Sequence, residues 1–367
     1  MSLVLDTVSM HVGGHTHIEQ VSLTLERGSL NVLLGPTLSG KTSLMRLMAG
    51  LDKPSAGRVL VDGRDVTGVH VRQRSVAMVY QQFINYPSLT VYENIASPLR
   101  VARRPKAEID RKVREAARLL KLEPYLDRTP AQLSGGQQQR TAIARALVKD
   151  AQLVLLDEPL ANLDYKLREE LREELPKIFA ASGAVFVYAT TEPAEALLLR
   201  GNTATLWEGR LAQFGRTPDV YRRPANITSA RVFSDPPLNT MRVHKRGAQV
   251  VLDTGDAEAA RGVLAGLPDD TYTVGFRADY LYLRRPDAEA IAVTGTVAVS
   301  EITGSESFVH VDVPRADGGS DRWVAVSRGV LDVEPGERIE VFIDPRRVFA
   351  FGHDGTLAAA PPLAVAA

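Results

Sequence analysis

Residues 30 to 47 read LNVLLGPTLSGKTSLMRL: an apolar run of strand character passes into Gly35-Pro36-Thr37-Leu38-Ser39-Gly40-Lys41-Thr42-Ser43 and then into a helical pattern. This is the G-x-x-x-x-G-K-[ST] spacing in the strand-to-helix context that gives it meaning. Gly35 and Gly40 permit conformations and close approaches that a β-carbon forbids, so successive N–H groups can converge on phosphate oxygens. The helix that follows turns its positive end toward the same anion. Lys41 supplies a point charge for the outer phosphates, and the Thr42 hydroxyl is a candidate Mg²⁺ ligand. Nucleotide binding follows from this stretch, while the choice of base does not.

Further along, LVLLDEP at Leu153 to Pro159 is a buried strand ending in two acids. Asp157 at the strand end is suited to holding Mg²⁺, and Glu158 to orienting or deprotonating a water. Between these two motifs stands LSGGQQQR, Leu133 to Arg140, directly before a helical stretch. There Ser134, Gly135 and Gly136 make a small turn whose hydroxyl and N–H groups suit an anion.

On these residues the chain resembles the ATP-binding cassette family, whose LSGGQ signature is intact at Leu133 to Gln137. The resemblance implies that two cassettes pair head to tail, so that Ser134, Gly135, Gly136 and Gln137 of one close over ATP held by the phosphate loop of the other. It also implies roles for Gln81, after VAMVY, as a sensor of Mg²⁺ and the terminal phosphate. The following FINYPSLTVYENI would face a membrane subunit. Ala161-Asn162-Leu163-Asp164 would be the loop that communicates across the pair, with Asp164 as its acid. The implied cofactors are ATP and Mg²⁺, with Thr42, Gln81 and Asp157 around the metal and Glu158, Gln81 and Lys41 as the catalytic set.

Two places depart from the family pattern. Where the family has Thr-His-Asp, this chain reads Thr190-Thr191-Glu192. Thr191 brings a hydroxyl but no imidazole, so slow hydrolysis at this chain's own loop is expected. Near the N-terminus, where the family stacks an aromatic on adenine, VSMHVGG offers only His11 or Val12.

Residues 1 to 233 alternate short strand runs with helical patterns, including Lys106 to Leu122, and predict an α/β cassette of the P-loop NTPase type with a mostly parallel sheet. From 234 to 367 short alternating segments with turn signals predict a smaller all-β barrel or sandwich. GRLAQFGRTPDVYRRPAN and DPPLNTM resemble the linker of sugar-importer ATPases, and GFRADYL, GTVAVSEITGSESFVHVDV and PGERIEVFIDP their OB/TOBE-like β domain. The resemblance then covers nearly the whole chain. It implies the ATP-hydrolysing subunit of an importer of a sugar, polyol, glycerol or glycerol phosphate, with the β domain serving dimerisation or regulation. Its partners would be a second cassette subunit (a copy of this chain or, favoured by Thr191, a different one), two transmembrane permease subunits and an external solute-binding protein.

Composition narrows the rivals. Lys plus Arg and Asp plus Glu both number 44 in 367 residues, so no net field favours nucleic acid. Arg100, Arg103 and Arg104 before Pro105 are expected to be a solvated helix end. There is no cysteine, which agrees with a reducing compartment and excludes thiolate metal sites. The apolar runs fall short of the roughly 20 residues of a membrane helix. MSLVLDTVSMHVGG is expected to be a strand and not a signal peptide, and LAAAPPLAVAA from Leu357 a frayed end. A peripheral position on the cytoplasmic face of a bacterial inner membrane is expected. The alternatives are a weakly active or regulatory cassette, and a soluble cassette ATPase of DNA repair or the ribosome. That last class usually carries paired cassettes or a long coiled-coil insertion, and neither is seen here.

Overall fold

Strands buried along nearly their whole length belong to a sheet covered on both faces. β3 (Leu30–Leu34), β6 (Val76–Val79), β7 (Leu153–Asp157), β8 (Val185–Thr190) and β9 (Asn202–Trp207) meet that condition and run parallel, and β10 (Arg210–Arg216) closes one edge antiparallel. The order is β10-β9-β3-β8-β7-β6. A four-stranded antiparallel sheet, β2-β1-β4-β5, is formed by β1 (Leu3–Val12), β2 (His15–Leu25), β4 (Ala56–Val61) and β5 (Arg64–Asp65). The computed structural model describes residues 1–362 apart from 83 and 162. Phe83 of the segment after Gln81, Asn162, and the end of the chain from Leu363 therefore lie outside the described residues.

The two sheets share a core with α1 (Lys41–Ala49): Leu44, Leu47 and Met48 pack among Leu5, Leu23, Leu33, Leu155 and Val187. Each such side chain contributes about 1.5–3 kcal/mol by leaving water. α2 (Val91–Val101) starts at a capping box in which the Glu93 N–H donates to Thr90 Oγ1 (3.2 Å) and the Thr90 N–H to Glu93 Oε2 (3.0 Å). The periodic run from Lys106 forms α3, but it stops at Leu119 and not Leu122. There Lys121 turns left-handed (φ 53°) and the Leu122 N–H returns to the Ala117 carbonyl at 2.7 Å. Arg100, Arg103 and Arg104 are exposed, with loose ion pairs from Arg100 to Glu93 and Arg104 to Glu108. α4 (Gly135–Leu147), α5 (Tyr165–Ser182) and α6 (Pro193–Leu199) complete the first unit, Met1–Thr217.

The second unit starts at Pro218, ahead of the 233/234 boundary expected from composition. After α7 (Thr217–Arg222), α8 (Ile227–Val232) packs Ala230 with Leu238, Phe349 and Phe351, contacts that lie inside the second unit. Among the described residues eleven strands follow as two antiparallel sheets. One, in the order β13-β12-β11-β14-β20-β21, comprises β11 (Asn239–Arg246), β12 (Gln249–Leu252), β13 (Ala257–Ala259), β14 (Thr271–Phe276), β20 (Phe349–Phe351) and β21 (Leu357–Ala359). The other, β15-β19-β16-β17-β18, comprises β15 (Leu281–Tyr282), β16 (Ile291–Ile302), β17 (Glu306–Pro314), β18 (Ser320–Arg328) and β19 (Arg338–Ile343).

Val243 and Val274 of the first sheet share a core with Val293, Val309 and Val341 of the second, giving a near-barrel. Polar clamps fix the two sheets together. The Asn239 amide donates to the Val324 carbonyl (2.9 Å) and accepts from its N–H (2.8 Å), and Trp323 Nε1 donates to the Thr240 carbonyl (3.1 Å). Leu357–Ala359, expected to fray, instead adds an edge strand to β20, since pairing satisfies its backbone groups.

Candidate nucleotide site

In an open parallel sheet the carboxyl ends of the strands form the place where ligands bind. The register Leu34↔Thr190 and Asp157↔Ala189 brings the ends of β3, β8 and β7 level, and β6 lies beside β7. The phosphate loop, Thr191, the Asp157–Glu158 pair and Gln81 thereby fall in one row. Backbone bonds hold the row: the Gly35 N–H donates to the Thr190 carbonyl (3.4 Å) and the Glu158 N–H to the Ala189 carbonyl (3.0 Å).

The loop is as tight as its glycines imply. A β-carbon on Gly35 would come within 2.3 Å of the Leu206 carbonyl oxygen, and one on Gly40, which sits at φ 99°, within 2.8 Å of Ile18. Lys41 is 5 % exposed, and its ammonium donates back to the carbonyls of Gly35 (2.7 Å) and Pro36 (2.9 Å). Burial holds its pKa below the ordinary lysine range, against the pull of Glu158 and Asp157. Ser39 Oγ is buried without a partner. Leu38 stands at the tip in a left-handed conformation (φ 68°), almost fully exposed.

Thr42 Oγ1 donates to Asp157 Oδ2 at 2.8 Å. Burial pushes the Asp157 carboxyl up, against the lowering effect of that bond and of Lys41. Glu158 follows at φ 45°, an unusual conformation for a residue with a long side chain and one that concentrates at functional sites. Burial again raises its carboxyl, and Lys41 opposes the shift. Gln81 Nε2 donates to Glu158 Oε2 at 2.9 Å. One open cavity of about 790 Å³ is lined by Thr37, Leu38, Gly40, Lys41, Thr42, Ser43, Gln81, Glu158 and Thr191, together with His15, Thr16, His17, Glu208 and Gly209.

That last group went unrecognised in the sequence. His15 to His17 belong to β2, and Glu208–Gly209 turn between β9 and β10, where the Gly209 N–H donates to the Ser39 carbonyl at 3.0 Å. No local spacing links them to the phosphate loop; only packing does. His11, by contrast, pairs its Nδ1 with Thr16 Oγ1 at 3.1 Å, and neither it nor Val12 is among the lining residues.

Ser134 to Gln137 also do not line this cavity. Ser134 caps α4 reciprocally: its N–H donates to Gln137 Oε1 (2.9 Å), and the Gln137 N–H donates to Ser134 Oγ (3.4 Å). Ser134 and Gly135 are exposed. From the same helix the buried Gln139 donates to the Pro159 carbonyl (2.5 Å), and Gln138 accepts through its carbonyl from Asn85 (2.9 Å), so α4 is tied both to the Glu158 loop and to the segment after Gln81. Asp164 ends the run that leads into α5, its carbonyl accepting from the Arg168 N–H.

Comparison with known proteins agrees with this geometry. The family model for ABC transporters matches residues 18–161, and that for the TOBE domain residues 274–351. The chain is 36 % identical to the sn-glycerol-3-phosphate import ATP-binding protein UgpC 3 of Rhizobium etli, covering 91 % of this chain and 92 % of that one. It is 35 % identical to the trehalose/maltose import ATP-binding protein MalK of Thermococcus litoralis (92 % and 94 %) and 33 % to the alpha-glucoside transport ATP-binding protein AglK of Rhizobium meliloti (96 % and 98 %). Among solved structures, the dimeric post-hydrolysis state of the cassette MJ0796 bound to ADP and Pi matches with a TM-score of 0.54 at 29 % identity, over 59 % of this chain and 98 % of that one. With the strand-end row in place and relatives spanning almost its full length, this chain belongs to the ABC transporter family, as an ATP-binding subunit whose ATPase activity energises import.

Proposed function

We propose that this chain is one of two cassettes driving uptake of a carbohydrate, polyol, glycerol or glycerol phosphate. The solutes in the names of its relatives support that class. The single observation that carries the catalytic assignment is the contact of Thr42 with Asp157 beside Lys41, with Gln81 bonded to Glu158 in the same row. A hydroxyl and a carboxylate in direct contact are the hard oxygen donors that Mg²⁺ prefers. Thr42 and Asp157, with Gln81 as a third group, would hold the ion, which supplies positive charge to the terminal phosphates.

The remaining roles belong to the chain itself. N–H groups from Gly35 to Ser43 cradle the phosphates. Lys41 exchanges its two carbonyl partners for phosphate oxygens, and Glu158 orients the attacking water and takes its proton. Ser134, Gly135, Gly136, Gln137 and Asp164 serve nucleotide held by the opposite cassette. Their absence from this chain's own cavity supports that division.

Thr191 lines the cavity where the family's histidine would stand, and its hydroxyl cannot carry an imidazolium's charge. This site is therefore the slower of an unequal pair, completed by a different cassette. No described helix is long and apolar enough to cross a membrane, which supports a peripheral subunit docked on two permease subunits at the cytoplasmic face, with a solute-binding protein on the other side. The β unit serves dimerisation or regulation. Affinity purification of the tagged chain from its own cells tests the assembly: two membrane subunits and a second cassette are expected. Recovery without any membrane subunit overturns the importer assignment, and brisk, cooperative ATP turnover by the chain alone overturns the unequal pair.

A further inference from the structure

Beside Thr191 lies a charge cluster with no part in the roles above. α5 begins directly after Ala161–Asp164 and carries Arg168 and Arg172 one turn apart, so both guanidiniums reach the same neighbours. Arg172 bonds through its two terminal nitrogens to Glu169 (2.6 Å), Glu192 (2.8 Å) and Glu195 (3.1 Å). Glu195 is itself buried and accepts from Tyr188 Oη (3.0 Å) and Thr190 Oγ1 (2.7 Å).

Arg168 is held differently. It donates to Glu192 Oε1 (3.3 Å) and to the carbonyls of Ala161 (3.3 Å) and Leu163 (3.5 Å). Charge-assisted bonds settle near 2.7–2.9 Å, so all three are stretched. One guanidinium thus spans two carbonyls of the Ala161–Asp164 loop and the carboxylate next to Thr191.

We infer that Arg168 is a positioning residue that ties the Ala161–Asp164 loop to Thr191. Movement of that loop draws on Glu192 through the guanidinium and resets Thr191 against Glu158 and Lys41. Arg172 keeps Glu192 anchored when Arg168 is removed, so the link can be lost without the fold. The inference rests on the assignment of the cavity as the hydrolysis site and of the Ala161–Asp164 loop as the one facing a second cassette.

Single-turnover hydrolysis, with full-length chain in excess over Mg·ATP, keeps a slow site measurable. Arg168→Ala should slow the turnover about tenfold, with ATP affinity and melting temperature unchanged. Arg168→Lys should recover part of the rate, since it keeps the charge but lacks the second arm of the fork. In a Glu192→Gln background, Arg168→Ala should cost little more, because both changes break one link. Turnover at the parent rate, a melting temperature that falls in step with the rate, or full additivity with Glu192→Gln would each overturn the inference. A parent chain with no single turnover at all would instead sink the ATPase assignment, a separate result.

Discussion

At one end of the cavity the groups proposed to meet phosphates come from a single stretch, Gly35 to Thr42, within which Lys41 bonds back to Gly35 and Pro36. At the other end Gln81, Glu158 and Thr191 come from the ends of three different strands, and only the sheet order brings them together. A contiguous motif tolerates little change, because one altered residue disturbs the whole loop. A composite end can lose one group while the rest stay in place, as the threonine at 191 illustrates. On the roles proposed above, binding and hydrolysis should be separable in this chain.

Substitutions at the two ends should separate them. The largest effect is expected from Glu158→Gln, which removes the carboxylate proposed as base while leaving the phosphate loop intact. Single-turnover hydrolysis should fall about 10²- to 10³-fold with ATP affinity kept, and a normal rate would break the assignment of Glu158. At the opposite end Lys41→Ala removes a charge-assisted contact, so calorimetry should show ATP binding weakened about ten- to a hundredfold. Retained affinity would erase the contrast between the ends.

Thr191→His restores an imidazole at the composite end alone. It should speed single turnover about tenfold without tightening ATP binding, and no change would mean that position 191 does not limit the rate.

The smallest effect concerns stability. Burial raises the carboxyl groups of Asp157 and Glu158, so the fold favours their protonated forms. Their contribution to stability is complete below the ordinary carboxylate range and is lost as pH rises through the raised values. The melting temperature of the nucleotide-free chain should decline across that window. Asp157→Asn keeps an acceptor for Thr42 without the buried charge. It should flatten the decline and add about 1 kcal/mol near neutral pH, while abolishing the extra protection that Mg²⁺ adds to ATP. The same upward shift acts on activity in the opposite pH direction: hydrolysis that needs the Glu158 carboxylate is lost as pH falls, with its acid limb above the usual glutamate range.

Much of this site was legible because its chemistry is written at short range. The glycine spacing around Lys41 and the Asp157–Glu158 pair on an apolar run each need only neighbours in the chain, as does the Ser134 cap outside this cavity. The alternation of strand and helix patterns was equally legible, as was the all-β texture of the second half. The linker was harder: α8 looks like connecting sequence until Ala230 is seen against Phe349 and Phe351. The edge strand at Leu357 was missed for a related reason, since small residues such as Ala358 and Ala359 carry little strand signal until a partner strand offers bonds.

By itself the sequence marked which residues are candidates to grip phosphate and carry a proton, and that position 191 holds a threonine, since these depend on residue identity and on spacing along one strand or turn. Tertiary structure alone decided that β6, β7, β8 and β3 end level, that His15, His17 and Gly209 wall the cavity, and that Arg168 spans two loops. Such contacts join residues far apart in the chain, and what brings them together is the burial of apolar strands in one ordered sheet, which no local pattern records.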